Sequence, residues 1–250
     1  MAVDCSVVAH SDGLTATLTG RLSLVDVASV RTSLFKCLAE QPDALFVDLA
    51  GLSIEEPIAL TVLSAVSRQA ARWPGIPVLF CAPAGPVRRV LLGGTYRRLP
   101  LRVTVASARE RVRADGRSLP SVIDDLLPVA GAPRHARRVA TDACLRWDLP
   151  VLVGPACVIA SELITNVMDH AGTMATLRIS LLPRYVTIAV RDGSVVAPRR
   201  RSPDESGGRG LLLVEGMARS WGWLPVDGGK VVWASLGRVS RRSARRGRRV

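Results

Sequence analysis

Along the first hundred residues, stretches in which hydrophobic positions alternate give way to stretches in which they recur at helical spacing, and the exchange repeats. Residues 3–9 and 14–20 alternate, with Thr15, Thr17 and Thr19 set against Ala16 and Leu18, and Asp12-Gly13 between them predicts a β-hairpin. Val27, Val30, Leu34 and Leu38 then recur every three or four residues, which predicts a helix over 26–40. The apolar run 44–49 reads as a buried strand, 57–72 as a second helix, 77–81 as a strand, 87–92 as a shorter helix and 101–105 as a closing strand. Strands that alternate with helices imply an α/β sandwich.

Residues 107–120 are arginine-rich and contain Gly116 and Pro120, which predicts a linker or linking helix. Beyond it the order changes. Two helices, 133–147 and 155–170, are followed by strands 175–181 and 186–191. A polar loop over 193–206, a helix over 211–220 and a strand over 230–236 complete the pattern, with Asp227-Gly-Gly229 as the last turn. This order predicts a layer of helices on one face of a mixed sheet. No internal repeat is visible.

Composition changes the picture in three places. The formal charge of +13 suggests a nucleic-acid binder. However, seven arginines between Arg238 and Arg249, with no acid among them, supply more than half of it. Lys36 and Lys230 are the only lysines beside thirty-two arginines, a bias that points to genome composition rather than to a binding surface. Residues 238–250 are therefore expected to be a basic disordered tail making weak contacts with acidic partners, and nucleic acid is not expected as a specific partner. Five cysteines without CxxC spacing argue against a disulfide framework or a zinc site. The start, Met1-Ala-Val-Asp4, has no signal-peptide pattern, and the uncharged stretch 149–161 is shorter than the roughly 20 residues of a membrane span. A cytoplasmic protein with no membrane contact is expected.

Candidate chemistry lies in the second half. Glu162, Asn166 and His170 are spaced by four and line one face of an otherwise apolar helix. Alone, that spacing describes a solvated stripe as well as a site. Asp192 ends a strand, where it can serve as a turn residue or accept a hydrogen bond from an amine. Gly207-Gly-Arg-Gly210 opens a helix, where backbone amides can cradle phosphate or simply form a tight turn.

In this order the three segments resemble the boxes of the GHKL (Bergerat) ATPases, in the form found in anti-sigma factor serine kinases. Ser161-Glu-Leu-Ile-Thr-Asn-Val-Met-Asp-His-Ala-Gly-Thr173 is similar to the N-box, Val190-Arg-Asp-Gly193 to the aspartate box and Gly207-Gly-Arg-Gly-Leu-Leu-Leu-Val214 to the glycine box. Ala136-Arg-Arg138 and Leu145-Arg-Trp-Asp-Leu149 upstream, and Ala218–Gly222 and Gly228–Trp233 downstream, extend the resemblance over about 120–237. The resemblance implies ATP and Mg²⁺ as cofactors. It gives Asn166 the Mg²⁺ ion, Glu162 the attacking hydroxyl, Asp192 the adenine amino group, and Gly208 and Gly210 the triphosphate. Ser194 stands where the family usually has a second glycine, and Val231 where it usually has threonine.

Residues 3–108, centred on Ala44–Leu63, resemble the STAS domain of anti-sigma factor antagonists. The Asp-Ser-Ser-Gly stretch of regulatory members, in which one serine is phosphorylated, is replaced here by Glu56, Pro57, Ile58 and Ala59. The organisation implied is a STAS-like domain (1–108), a linker (109–119), a GHKL-type ATPase domain (120–237) and the tail (238–250). The resemblance implies a sigma factor or a STAS antagonist as partner and a homodimer as assembly. It is compatible with an anti-sigma factor kinase and with a non-catalytic module that holds those partners. If the tail alone carries the basic character, deleting residues 238–250 will abolish any nucleic-acid binding in a gel-shift assay and leave ATP binding unchanged in calorimetry.

Overall fold

The predicted hairpin is present as β1 (Asp4–His10) and β2 (Gly13–Leu22), antiparallel with Cys5 opposite Leu18. The computed structural model describes residues 3–116, 119–198 and 210–238, and the chain divides into two units, Met1–Ser118 and Leu119–Val250. In the first unit follow α1 (Val27–Ala39), β3 (Leu45–Asp48), β4 (Leu52–Ile54), α2 (Thr61–Arg72), β5 (Val78–Cys81), α3 (Gly85–Leu92), β6 (Leu101–Arg102) and α4 (Val105–Asp115). The sheet runs β1-β2-β3-β5-β6, parallel from β2 onward, and the short β4 pairs with the far end of β2. Strand alternation sends Ala44 and Phe46 to one face, where they meet Leu79, Cys81 and Ala108 of α4. On β1 and β2 the sheet carries α1, which also packs on α2.

One expectation for this half is corrected. The closing strand is only Leu101–Arg102, because Thr104 caps a helix: its Oγ1 accepts a hydrogen bond from the Ser107 amide at 3.0 Å. That helix, α4, runs to Asp115 through most of the stretch read as a linker or linking helix, and Gly116 closes it at φ +57°. Its arginines have a structural task. Arg109 grips Asp12 in the β1–β2 turn through Nε (3.0 Å) and a terminal nitrogen (2.8 Å), and Arg113 Nε reaches the same carboxylate at 2.8 Å.

The second unit contains β7 (Ser121–Leu126), α5 (Ala132–Arg146), α6 (Val153–His170), β8 (Ala175–Leu181), β9 (Tyr185–Asp192), α7 (Gly210–Met217), β10 (Ser220–Val226) and β11 (Gly229–Gly237). Its sheet runs β10-β11-β9-β8-β7. Every pairing in it is antiparallel, which corrects the mixed sheet expected from sequence. The cause is that β8–β9 and β10–β11 are hairpins, and β7 and β10, both unforeseen, join as antiparallel edges. The helix expected to reach Ser220 stops at Met217.

Helices α5 and α6 pack on each other and on this sheet. Ile159, Leu163, Ile164 and Val167 of α6 meet Leu177, Ile188 and Val232 in the core. Each such side chain contributes about 2 kcal/mol when fully buried. With the preceding turn, Pro150–His170 is long and apolar enough to cross a membrane, with a mean hydropathy of 1.7. Here its apolar face is covered by the sheet. All five cysteines are free; Cys37, Cys81 and Cys144 are buried, and burial pushes the first two thiols up to about 12 and the third to about 11.

The hydrogen bond from Arg109, with the positive charge of both arginines, holds the Asp12 carboxyl below the usual carboxylate range. A depressed folded value contributes stability above the unfolded value, near 3.9, that is lost as pH falls through the folded one. Asp12→Asn is therefore expected to destabilise β1–β3 by about 1–2 kcal/mol at pH 7, since Arg113 is half exposed and contributes less. The gap should close below about pH 4, read by hydrogen exchange in urea. A gap that does not change with pH would place the effect elsewhere than in the carboxylate charge.

Candidate functional site

Helix α6 has two working faces. Ile159, Leu163 and Val167 anchor it to the core, while Glu162, Asn166 and His170, one turn apart, keep partial exposure along its edge. That edge borders a cavity of about 380 Å³. Leu163, Asn166, Val167 and His170 form one wall of it. The floor comes from alternate residues of two paired strands, Val190 and Asp192 of β9 and Lys230 and Val232 of β11. Leu211 of α7, with Ser194 and Val196–Pro198 of the loop after β9, closes the rim.

Asp192 and Lys230 are the polar centre of the floor. Pairing of β9 with β11 sets them opposite each other, and Lys230 Nζ lies 2.9 Å from Asp192 Oδ1. The side chains are only 2% and 8% exposed, so this charge pair is shielded from solvent screening. Ser194 completes it: its amide donates to Asp192 Oδ1 at 2.7 Å, and its carbonyl oxygen accepts from Lys230 Nζ at 3.2 Å. Removing one partner of such a pair leaves an uncompensated buried charge, whereas the intact pair adds little net stability.

Two glycines permit the arrangement. A Cβ on Gly229 would lie 1.9 Å from the backbone oxygen of Asp192, so only glycine lets β11 approach β9 this closely. A Cβ on Gly210, the first residue of α7, would lie 2.6 Å from Glu162 Oε2 and 3.8 Å from Asn166 Oδ1. Gly210 thus rests directly on the two α6 residues singled out from sequence. Thr173 steadies the strand end by accepting a hydrogen bond from the Gly193 amide at 3.0 Å.

The Glu162 carboxyl is raised above its ordinary value, first by burial, then by the negative charge of Asp169, against the opposing charge of Arg137. The folded protein thus holds that proton more tightly than the unfolded chain. Its contribution to stability is present below the unfolded value and is lost as pH rises through the folded one. Among the described residues, neither the Glu162 nor the Asn166 side chain makes a hydrogen bond.

The sequence-derived residues therefore fall into three groups. Asn166 and Asp192 line one cavity, and Glu162 and Gly210 meet beside it. Gly208 lies outside the described residues, as do Arg209 and most of the loop expected to run to Ser206. Of the two departures from the ATPase pattern, Ser194 takes part in the polar centre, whereas Val231 faces away from the cavity between Lys230 and Val232. Lys230 was missed. Its signal was present, since it is one of two lysines among thirty-two arginines and directly follows the last turn. Among the described residues, no cluster of three or more His, Cys, Asp or Glu is placed to hold a metal ion.

In the first unit, the segment that replaces the serine pair has a defined geometry. Glu56 precedes a 3₁₀ turn over Pro57–Leu60 and accepts a hydrogen bond from the Leu24 amide at 2.8 Å, so it ties two loops together as well as standing at a helix start. The hydroxyl of Ser53 donates to Gly20 O at 3.1 Å and that of Thr61 to Ile58 O at 2.8 Å.

No family model and no curated protein matches the chain. Solved structures of anti-sigma factor antagonist (STAS) domains match about 45% of it. An anti-sigma factor antagonist from Mycobacterium paratuberculosis is 23% identical, with 45% of this chain and 95% of that one covered at a TM-score of 0.38. The unphosphorylated anti-sigma factor antagonist SpoIIAA is 17% identical, with coverages of 44% and 97% and a TM-score of 0.38. A STAS-domain protein from Planctomyces limnophilus is 16% identical, with coverages of 45% and 98% and a TM-score of 0.37.

The two glycines give contrasting expectations. Gly229→Ala meets backbone and is expected to cost about 3 kcal/mol or more by breaking the β9–β11 pairing. Gly210→Ala meets the end of a flexible side chain and is expected to cost less than about 1 kcal/mol while displacing the Glu162 carboxylate. Urea denaturation of the two variants, with equal losses as the contrary result, checks this.

Proposed function

We propose that the second unit, Leu119–Val250, binds ATP with Mg²⁺ and acts as a serine/threonine kinase on a separate STAS antagonist, in a partner-switching pathway that controls a sigma factor. The observation that carries this reading is the meeting of Asn166 and Asp192 on one cavity with Gly210 set against Glu162. These residues come from three elements, α6, β9 and α7, and the ATPase resemblance names each of them for the same ligand.

The cavity suits a purine. Its volume is within the range of small-molecule sites. Leu163, Val190 and Val232 offer apolar walls for a flat base, and Asp192 offers an acceptor for an exocyclic amine at its floor. Asn166, on the neighbouring wall, presents an amide oxygen. Mg²⁺ in nucleotide sites takes only one or two protein oxygens beside those of the phosphates, a demand that Asn166 meets. When bound, Mg²⁺ neutralises charge on the phosphates, which is most of what phosphoryl transfer requires beyond positioning. Glu162 then orients the acceptor hydroxyl and takes its proton, a task for which a raised carboxyl is better matched than an ordinary one.

The first unit enters this reading as a docking or dimerising module. Its usual phosphoacceptor site holds Glu56, Pro57, Ile58 and Ala59, none of which carries a hydroxyl. One observation favours a second reading, a non-catalytic module that holds a sigma factor or antagonist without phosphoryl transfer. Asp192 Oδ1 is already engaged by Lys230 and the Ser194 amide, so the floor is electrostatically satisfied without a ligand.

Calorimetry with ATP and Mg²⁺ followed by a kinase assay on STAS partners separates the two. The kinase reading expects binding that Asn166→Ala and Asp192→Asn each weaken at least about tenfold. It expects phosphate on the added partner and none on Ser53 or Thr61. It also expects a rate that rises with pH through the raised Glu162 value, a dependence that Glu162→Gln removes with most of the activity. Nucleotide binding without transfer leaves the non-catalytic reading, and a folded protein that binds no nucleotide overturns the ATP site.

A further inference from the structure

The site residues drawn from the ATPase resemblance do not include the cation in the cavity floor. Lys230 is 6% exposed, yet it lines the cavity beside Asp192. An ammonium has three N–H donors. Two are engaged, by Asp192 Oδ1 at 2.9 Å and Ser194 O at 3.2 Å. Asp192 in turn uses one oxygen for Lys230 and the Ser194 amide, and among the described residues Oδ2 accepts no hydrogen bond. The pair therefore offers a ligand one remaining donor and one remaining acceptor, side by side and shielded from water.

We infer that Lys230 is a specificity-determining residue that reads the base edge of the nucleotide, donating to adenine N1 while Asp192 accepts from the N6 amine. This rests on the nucleotide reading above. The adjacent amine and ring nitrogen of adenine present one donor and one acceptor, the complement of what the floor has left. Guanine presents the carbonyl O6, N1–H and a further amine at N2. In the pose that pairs adenine, O6 would face the Asp192 carboxylate and N1–H the Lys230 ammonium, so both contacts would set acceptor against acceptor and donor against donor. The amine at N6 alone would not need Lys230; the acceptor at N1 does.

The experiment is equilibrium binding of the full chain to ATP, GTP, 1-deaza-ATP and 7-deaza-ATP, each with Mg²⁺. In 1-deaza-ATP the N1 acceptor is replaced by C–H, and in 7-deaza-ATP a nitrogen on the opposite edge is lost. Wild-type protein is expected to bind 1-deaza-ATP and GTP at least about tenfold more weakly than ATP, and 7-deaza-ATP as well as ATP. In Lys230→Met the ratio of ATP to 1-deaza-ATP affinity should fall to within about twofold, the loss expected when the N1 contact no longer exists. The double variant Lys230→Met with Asp192→Asn, which leaves no buried charge uncompensated, should lower the ratio likewise and serves if the methionine variant does not fold. Equal wild-type binding of ATP and 1-deaza-ATP, equal binding of GTP, or a ratio that survives in both variants overturns the inference and leaves the ATP site standing. Wild-type protein that binds none of the four overturns both.

Discussion

The second unit depends on how closely two strands pass. Strand β11 lies against β9 at a separation that tolerates no side chain at Gly229, and that approach sets Lys230 opposite Asp192. An Asp and a Lys, each nearly inaccessible to solvent, would be prohibitive apart; at 2.9 Å they neutralise each other and leave the cavity floor polar but uncharged in sum. The rest is arranged around this contact. Val190 and Val232 flank it, α6 lies across it, and the loop after β9 folds back so that the Ser194 backbone can serve both partners.

The first unit solves a different problem with the same means. Its sheet is mostly parallel and takes helices from crossovers, so burial of Phe46 and Leu79 requires α4 to return across β3 and β5. The fastening is again electrostatic. Arg109 and Arg113, one turn apart, hold Asp12 and thereby tie the hairpin turn to the last helix of the unit.

Much of this could be read from the sequence because its signals are local. The spacing of Val30, Leu34 and Leu38 marks α1, and that of Glu162, Asn166 and His170 marks the open edge of α6. The losses have physical causes. Strand β7 carries Asp124 and Asp125 in six residues, because as an edge strand it keeps one side in solvent and needs few apolar positions. Strand β10 contains Gly222 and Pro225, which argue against a central strand but are tolerated on an edge. The arginines of α4 left a linker and a linking helix equally open, because their partner Asp12 is almost a hundred positions away in the chain. Of the candidate site, the gathering of Asn166 and Asp192 on one cavity with Glu162 beside it was legible through spacing and resemblance. The role of Lys230 was not, because it follows from register between strands nearly forty positions apart, and periodicity carries no register information.

Chemistry with amines makes one of these features useful. Lys36 and Lys230 are the only two side-chain amines in the chain, and guanidinium groups do not react with acylating reagents under conditions that modify lysine. Besides the α-amino group, an amine-directed label would therefore report on two side chains: Lys36, partly exposed on α1, and Lys230, enclosed in the cavity floor. The ratio of the two labelling yields is an internal gauge of whether the cavity is open or filled, with the surface lysine as the reference. In a chain whose basic surface is built almost wholly from arginine, the site comes with its own spectroscopic handle.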